Sequence, residues 1–222
     1  AGVVALARDV SVLHVDAQSA VTGDTSVITD RDRRGAILDD SAVYTLFTSG
    51  STGRPKGVTV RHGGLNNMLT WFGAQFDDPA GERVLLKTAY TFDASVWELF
   101  WPVIAGATVV LAEPEGHRDA SYLRRIIDET GITMVQFVPS MLAVFLEETS
   151  GGIDSLQTVR KILTGGESLS PALTQRVFAA MPSAKVINQY GPTEATVDST
   201  VVTLTEPLDV VTVGGPVPGS VA

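Results

Sequence analysis

The chain has 222 residues and a mass of 23.5 kDa, which suits one large domain or two small ones. With 44% hydrophobic and 18% charged residues, it is too apolar for a disordered protein. Sixteen Lys and Arg residues against 25 Asp and Glu residues give a net charge of -9, so we expect neither nucleic acid nor a membrane as a partner. The sequence contains no cysteine, which excludes thiolate metal sites and fits the cytoplasmic location that we expect.

Short apolar runs alternate with longer amphipathic segments along the chain. The runs that predict strands are residues 11–15, 43–47, 83–86, 108–111, 133–137, 161–164 and 185–188. The segments that predict helices are residues 65–76, 94–104, 120–129, 139–148 and 171–181. Residues 22–40 predict a loop, and the segment from Val201 onward predicts strands or loops without a helix. This alternation predicts an α/β fold with mainly parallel sheets covered by helices.

A glycine-rich loop is predicted to follow the strand at residues 43–47. Residues 48–58 read TSGSTGRPKGV, which combines glycines, hydroxyl side chains and two cations. Backbone N–H groups, hydroxyls and the charge of Lys56 suit a polyphosphate, although a flexible surface loop is the simpler alternative. It is not a Walker loop, because Pro55 precedes the lysine and Gly57 follows it. The residues that we expect to cradle phosphate are Thr48, Ser49, Gly50, Ser51, Thr52 and Gly53.

Three further segments follow this loop in a recognisable order. They read FDASVWELF from Phe92, LTGGE from Leu163 and NQYGPTE from Asn188. With the glycine-rich loop, they resemble the signatures of adenylate-forming enzymes, and specifically the adenylation domains of non-ribosomal peptide synthetases. The resemblance extends from about Asp40 to the last residue. It implies that residues 1–222 are part of the large N-terminal domain of such an enzyme, without the end of that domain and without the small C-terminal domain.

The resemblance implies a nucleotide site around the last two segments. Tyr190 would stack on adenine and Asn188 would bind the adenine edge, while Thr193 would reach a phosphate and Glu194 would bind Mg²⁺. The other residues of these segments that we expect to bind the nucleotide are Gly165, Gly166, Glu167 and Gly191. Without the resemblance, the same residues would be interpreted as ordinary turns with a packed tyrosine.

Asp93 has two interpretations. It precedes a predicted helix, where Asp is a preferred N-cap residue. The resemblance implies instead an ion pair with the α-ammonium group of an amino-acid substrate. We favour the second role, because Trp97 lies one helical turn further along the same face and can form the wall of a pocket, although Trp97 is equally compatible with a core position.

The resemblance also predicts the residues that line the substrate side-chain pocket. They are Asp93, Ala94, Trp97, Gln136, Leu163, Gly165, Gln189, Val197 and Asp198. Two amides and a carboxylate need polar partners when buried, and a carboxamide side chain satisfies them best. We therefore expect glutamine as the substrate, with glutamate as the next candidate.

The implied reaction is the ATP-dependent activation of an amino acid as aminoacyl-AMP, with release of pyrophosphate. Lys56, Thr193 and Glu194 with Mg²⁺ would be its catalytic groups. The resemblance also implies a carrier protein or domain with phosphopantetheine as a partner, beside neighbouring synthetase domains. Because the chain lacks the family's C-terminal lysine, we expect weak activity at best from these residues alone.

Three alternatives remain open from the sequence. One is an acyl- or aryl-CoA ligase of the same superfamily, although Asp93 would then have no ammonium partner. Another is a truncated core that binds ATP or nothing, and the last is an unrelated P-loop hydrolase, which the loop spacing disfavours. His14, His62 and His117 are far apart and predict surface or core residues, and Glu98 receives no chemical role.

Overall fold

The computed structural model describes residues 29, 31–33, 35–49, 53–76, 78–148 and 156–220. The strand predicted at residues 11–15 lies outside them. The chain divides into two compact units, Ala1–Ala36 and Ile37–Ala222. In the first unit, the carboxylate of Asp32 accepts hydrogen bonds from the backbone N and the hydroxyl of Thr29. The second unit contains every strand and helix described below.

Nine strands and five helices form the second unit in its described part. The strands are β1 (Ala42–Thr48), β2 (Lys56–Arg61), β3 (Arg83–Leu86), β4 (Thr108–Leu111), β5 (Met134–Phe137), β6 (Lys161–Thr164), β7 (Lys185–Tyr190), β8 (Thr200–Leu204) and β9 (Gly215–Pro216). The helices are α1 (His62–Gly73), α2 (Ser95–Ala105), α3 (Ala120–Thr130), α4 (Pro139–Glu148) and α5 (Pro171–Ala180). Across the described ranges, no helix is long and apolar enough to cross a membrane.

Seven of these strands form one mixed sheet. Its strand order is β4-β3-β5-β6-β7-β8-β9. The pairs from β4 to β7 are parallel, and β8 and β9 are added antiparallel at one edge. All four residues of β5 are buried, as expected for a parallel strand that is covered on both faces. The predicted α/β fold with a mainly parallel sheet is therefore confirmed.

Helices cover both faces of the sheet because strand side chains alternate in direction. On one face, Val135 and Ile162 pack in an apolar cluster with residues of α3, α4 and α5. On the other face, Met134 and Leu163 pack with residues of α1 and α2, including the aromatic side chain of Phe72. The ring centroids of Phe72 lie 5.3 Å from Trp97 and 5.2 Å from Trp101.

The strand β2 was not predicted from the sequence. It pairs antiparallel with β1 in a separate two-stranded sheet, so the glycine-rich loop connects the two strands of a hairpin. Lys56 and Gly57, expected in the loop, are the first two residues of β2. The alternation of Val58 and Val60 with polar residues was a strand signal, but the nearby glycines and Pro55 obscured it.

Helix α1 begins at His62, three residues before the predicted start, and ends at Gly73 rather than at Phe76. Its early start has a tertiary cause. The backbone N–H groups of His62 and Gly63 donate to carbonyl oxygens of Ser41 and Asp39 at 2.9 Å, so these helix-end donors are satisfied. A Cβ at Gly64 would lie 2.8 Å from the Thr196 hydroxyl oxygen. Gly63 and Gly64 therefore permit the start of α1 to lie close to Asp39 and Thr196. Their low helix propensity is the reason why the sequence predicts a later start of the helix.

Candidate active site

A cavity of about 430 Å³ lies at the carboxyl ends of the parallel strands. Its wall includes residues that follow four neighbouring strands, which are Lys87 after β3, Val138 after β5, Gly165 after β6 and Gly191 after β7. The carboxyl edge is where open α/β sheets bind their ligands, because the loops converge there. The cavity volume is in the range of small-molecule sites.

Seven of the nine residues predicted to form a substrate pocket line this cavity. They are Asp93, Ala94, Gln136, Gly165, Gln189, Val197 and Asp198. The other two, Trp97 and Leu163, are 1% and 0% exposed and pack in the apolar cluster with α1 and α2. They do not line the cavity, although Trp97 contacts Gln136, which does.

Asp93 lies on the loop between β3 and α2, and its carboxylate is not a helix cap. The N-cap of α2 is Ala94, which makes no side-chain capping bond. Oδ2 of Asp93 instead accepts a hydrogen bond of 2.6 Å from the hydroxyl of Thr193, which follows β7. Burial and the charge of Asp93 raise the pKa of the Tyr44 phenol to about 12. Asp93 is thus a half-buried anion at the cavity wall.

Asp198 is a second acidic residue of the same cavity and is only 6% exposed. Burial and the nearby charge of Asp93 raise the pKa of Asp198 to about 7, against the opposing effect of a hydrogen bond from Gln189. That bond joins Nε2 of Gln189 to Oδ2 of Asp198 at 2.6 Å. Near neutral pH, the Asp198 carboxyl is therefore divided between its protonated and ionised forms.

Gln136 projects from β5 and has a defined amide orientation. The indole N–H of Trp97 donates to Oε1 of Gln136 inside the core. The two N–H donors of the same amide have no acceptor among the residues that the structure describes. Trp97 therefore holds Gln136 so that its amino group is available to a ligand in the cavity.

The loop between β7 and β8 is strained where it reaches the cavity. Thr196 and Val197 have φ angles of 63° and 70°, which a β-branched residue rarely adopts. A Cβ at Gly191 would lie 2.3 Å from the carbonyl oxygen of Val197, so only glycine fits there. Strain of this kind persists where the surrounding structure holds a functional loop in place.

The predicted phosphate loop lies at one end of the β1–β2 hairpin. Thr48 and Lys56 are partners in the strand register, so a hydroxyl and a cation are neighbours there. Ser49 is exposed, Gly53 has a φ of 78°, and Gly50, Ser51 and Thr52 lie outside the described residues. Strand β2 packs against the helical turn Thr193–Ala195, which brings the hairpin close to the loop after β7.

The other predicted nucleotide residues have different environments. Asn188 is buried, and its side-chain amide binds the Thr164 hydroxyl and the Thr212 carbonyl. The carboxylate of Glu167 accepts from the backbone N and hydroxyl of Ser140 at the start of α4. Tyr190 is 58% exposed, and Glu194 is exposed. None of these four is in the wall of the cavity, whereas Gly165, Gly166 and Gly191 are.

Nine described residues of the cavity wall are not among the predicted site residues, and four of these nine are polar or charged. Lys87 and Thr88 lie after β3, and His117 and Arg118 lie in the turn before α3. Their neighbour Glu98 is fully buried and accepts hydrogen bonds from the backbone N of Lys87 and from the backbone N and hydroxyl of Thr88. A lone Glu in the apolar segment SVWELF was a signal for this contact, because an unpaired buried carboxylate is costly. Within the described ranges, no cluster of three or more His, Asp or Glu side chains is arranged to hold a metal ion.

Comparison with protein families decides the classification. A family model described as AMP-binding enzyme matches residues 3–222. The chain belongs to this family. The family membership agrees with the position of the cavity at the carboxyl edge of the sheet and with the three sequence segments, from Phe92, Leu163 and Asn188, that contribute to its wall.

Relatives and solved structures support the narrower resemblance to peptide synthetases. The chain is 47% identical over 164 residues to phosphinothricin tripeptide synthetase PhsB of Streptomyces viridochromogenes. The aligned region covers 74% of this chain and 14% of PhsB. It is similar to the non-ribosomal peptide synthetase FmoA3 in an α-methyl-L-serine-AMP bound form, with a TM-score of 0.79, 26% identity, and 89% of this chain and 22% of FmoA3 covered. It is also similar to PA1221, a synthetase protein containing adenylation and PCP domains, with a TM-score of 0.67 and 27% identity. This similarity covers 78% of this chain and 34% of PA1221. The expected relationship to adenylation domains is confirmed, and the chain spans about a seventh of PhsB.

Proposed function

We propose that this chain belongs to the large N-terminal domain of an adenylation domain that activates an amino acid as aminoacyl-AMP and releases pyrophosphate. The observation that carries the proposal is the position of Asp93, a half-buried carboxylate on the wall of a cavity at the carboxyl edge of the sheet. An anion in such a place needs a cationic partner, and the α-ammonium group of an amino acid supplies one. FmoA3, a structural neighbour, is described with a bound aminoacyl-AMP.

We propose glutamine as the preferred amino acid. Gln136 presents amide N–H donors without an acceptor in the described part of the chain, so it can donate to the side-chain oxygen of glutamine. When Asp198 is ionised, its Oδ1 has no donor among the same residues and can accept from the side-chain NH₂ group. One carboxamide thus satisfies both groups. Glutamate fits less well, because the ionised fraction of Asp198 would repel its carboxylate.

ATP would bind between the β1–β2 hairpin and the loop after β7. The register places Lys56 beside Thr48, so a cation and a hydroxyl can contact a polyphosphate, and β2 packs near the turn that begins at Thr193. Glu194 is exposed and has no partner in the described ranges, which leaves its carboxylate free for a cation. A single carboxylate suits Mg²⁺, whose remaining ligands are usually phosphates and water. Bound Mg²⁺ would supply charge stabilisation to the leaving pyrophosphate.

The residues of this chain would orient the reaction and supply electrostatic stabilisation. Asp93 would hold the amino acid by its ammonium group, with Thr193 fixing the direction of the carboxylate. The carboxylate of the substrate would then attack the α-phosphorus, and pyrophosphate would leave toward Lys56. Preorganised donors at the developing charge are the usual source of rate enhancement in such transfers. We also propose a phosphopantetheine-bearing carrier protein and neighbouring synthetase domains as partners, as PA1221 combines adenylation and PCP domains.

Amino-acid-dependent exchange of pyrophosphate into ATP tests the proposal on the protein that carries this chain. We expect exchange led by glutamine across the common amino acids. Substitution Gln136→Met should weaken exchange with glutamine and favour an apolar amino acid, whereas Gln175→Met, on the exposed face of α5, should change neither. If apolar amino acids gave the fastest exchange in the unmodified protein, the assignment of glutamine as the preferred substrate would be overturned. Turnover of an aryl or fatty acid in place of any amino acid would indicate a CoA ligase.

A further inference from the structure

Lys87 is a cation on the wall of the cavity that the proposed function does not use. It follows β3 directly, is half-buried, and lines the same cavity as Asp93 and Asp198. Its Nζ lies 4.7 Å from the ring centroid of Phe137, another residue of the cavity wall. A cation over an aromatic ring is stabilised, but the ring satisfies none of its hydrogen-bond donors.

The ammonium group of Lys87 has no hydrogen-bond acceptor in the described part of the chain. Within the same described part, Lys87 forms its hydrogen bond through the backbone N, which donates to Oε2 of Glu98 at 3.0 Å. Burial lowers the pKa of Lys87, and the charge of Glu98 opposes that effect without a direct ion pair. A partly desolvated ammonium with three free donors is an unusual and costly arrangement unless a ligand completes it.

Glu98 keeps Lys87 in this position. Its side chain is 0% exposed, and it accepts from two successive backbone N–H groups at Lys87 and Thr88 and from the Thr88 hydroxyl. These bonds attach the start of the β3–α2 loop to helix α2. The Lys87 side chain therefore leaves a well-held backbone segment, and its direction toward Phe137 is set by the fold.

The ammonium group of Lys87 and the carboxylate of Asp93 lie near different strands of the sheet. The carboxylate of Asp93 contacts Thr193, which follows β7, whereas Nζ of Lys87 lies over Phe137 of β5. Strand β6 separates β5 from β7, so these two strands are about 10 Å apart. A ligand that satisfies both groups must carry a cation at one end and an oxygen acceptor at the other. An amino acid with a long, oxygen-bearing side chain has this arrangement.

We propose that Lys87 is a substrate-binding residue whose ammonium group donates a hydrogen bond to a side-chain oxygen of the bound amino acid. This inference rests on the proposed function and deepens it, because it adds a selectivity for carbonyl- or carboxylate-bearing side chains. In this arrangement Lys87 serves the side-chain oxygen of glutamine, while Asp198 serves the amide nitrogen.

Substitution Lys87→Met, which keeps the length of the side chain and removes its donors, tests this role. Calorimetric titration of the protein that carries this chain should give a Kd for glutamine about 10- to 100-fold weaker in the variant, the effect of losing a hydrogen bond from a charged group. The Kd for methionine, which has no side-chain oxygen, should stay within about twofold. ATP–pyrophosphate exchange should show the same split, with a raised KM for glutamine and an unchanged KM for ATP.

Lys185→Met is the matched control, because Lys185 is exposed at the start of β7, on the opposite edge of the sheet. It should leave both dissociation constants unchanged. Equal glutamine affinity in the unmodified protein and Lys87→Met would overturn the role of Lys87, even where exchange proceeds normally. A loss of thermal stability without a change in glutamine affinity would assign Lys87 to the fold. Absence of exchange with every amino acid, despite glutamine binding that depends on Lys87, would overturn the proposed function alone.

Discussion

The hydroxyl of Thr193 donates a 2.6 Å hydrogen bond to Oδ2 of Asp93, a residue 100 positions earlier in the chain. This bond joins the loop after β7 to the loop that precedes α2. It leaves the second carboxylate oxygen of Asp93 free to accept from a ligand, since no other hydrogen bond to this side chain is present in the described part of the protein. A residue assigned to nucleotide binding and one assigned to substrate binding are therefore in direct contact.

Asp93→Asn should raise the KM for the amino acid about 100-fold while the KM for ATP changes little. The asparagine oxygen can still accept from Thr193, so the loop contact is retained, but the negative charge facing the ammonium group is lost. Pyrophosphate exchange at varied amino-acid and ATP concentrations measures both constants. Asp128→Asn, at an exposed position of α3, is the control and should behave as the unmodified protein. Equal KM values for the amino acid in Asp93→Asn and the control would contradict the ion pair.

The raised pKa of Asp198 predicts a pH-dependent stability. Its pKa of about 7 in the fold exceeds the usual carboxyl value, so the folded protein binds more protons than the unfolded chain between about pH 4 and 7. The contribution of Asp198 to the free energy of unfolding is therefore full below this window and is lost as the pH rises through it. Asp198→Asn imitates the protonated group and should remove this dependence.

Urea denaturation of both proteins at pH 5 and pH 8 checks this prediction. We expect the unmodified protein to lose more stability than Asp198→Asn on going to pH 8. Because the charge of Asp93 contributes to the raised pKa, Asp93→Asn should lower the pKa of Asp198, which carboxyl NMR titration measures directly. Parallel stability profiles for the two proteins would exclude an elevated pKa at this site.

Gly191→Ala should destabilise the protein and abolish exchange. The added Cβ would meet the Val197 carbonyl oxygen at 2.3 Å, and backbone atoms of the strained loop cannot yield easily. Overpacking of this kind costs roughly 1 to 3 kcal/mol. Gly215→Ala is a matched control, because its Cβ would have nothing within 4 Å. Thermal melting of the two variants separates them, and similar melting temperatures would show that the loop tolerates a side chain.

Glu82 should affect stability without affecting substrate binding. It lies just before β3, at the amino edge of the sheet, and accepts hydrogen bonds from Lys161, Arg160 and Thr133. Burial raises its pKa, but the hydrogen bonds from Lys161 and Thr133 and the nearby cations lower the pKa below its usual value overall. Glu82→Ala would leave the largely buried Lys161 ammonium group without its carboxylate, at a cost of about 3 to 5 kcal/mol.

Urea denaturation measures the change in the free energy of unfolding in Glu82→Ala. Pyrophosphate exchange, at a temperature where the variant is folded, measures the KM for the amino acid. The KM for the amino acid should remain unchanged, since Glu82 is at the edge opposite the cavity. Glu129→Ala, exposed on α3, is the control and should alter neither quantity. A raised KM with unchanged stability would contradict a structural role for Glu82.

The wall of the cavity illustrates what was hard to predict. Asp93, Gln136 and Asp198 line it as the sequence segments implied, because each segment follows or belongs to a strand that ends at the carboxyl edge. Trp97 was expected there too, yet it is buried behind Gln136. Lys87 was not expected, since a lysine after a strand is usually solvated. Whether a side chain faces the cavity or the core depends on neighbours that are distant in the chain.

The amino-acid sequence by itself determined the alternation of strands and helices, the α/β class and the order of the four signature segments. These features follow from hydrophobic periodicity and from residue types at adjacent positions, which are local properties. The tertiary structure alone decided that β2 completes a hairpin, that Glu98 holds the loop of Lys87, and that Asp93 contacts Thr193. Those contacts depend on strand order and on packing between helices and sheet, and no local pattern specifies the distance between residues that the fold brings together.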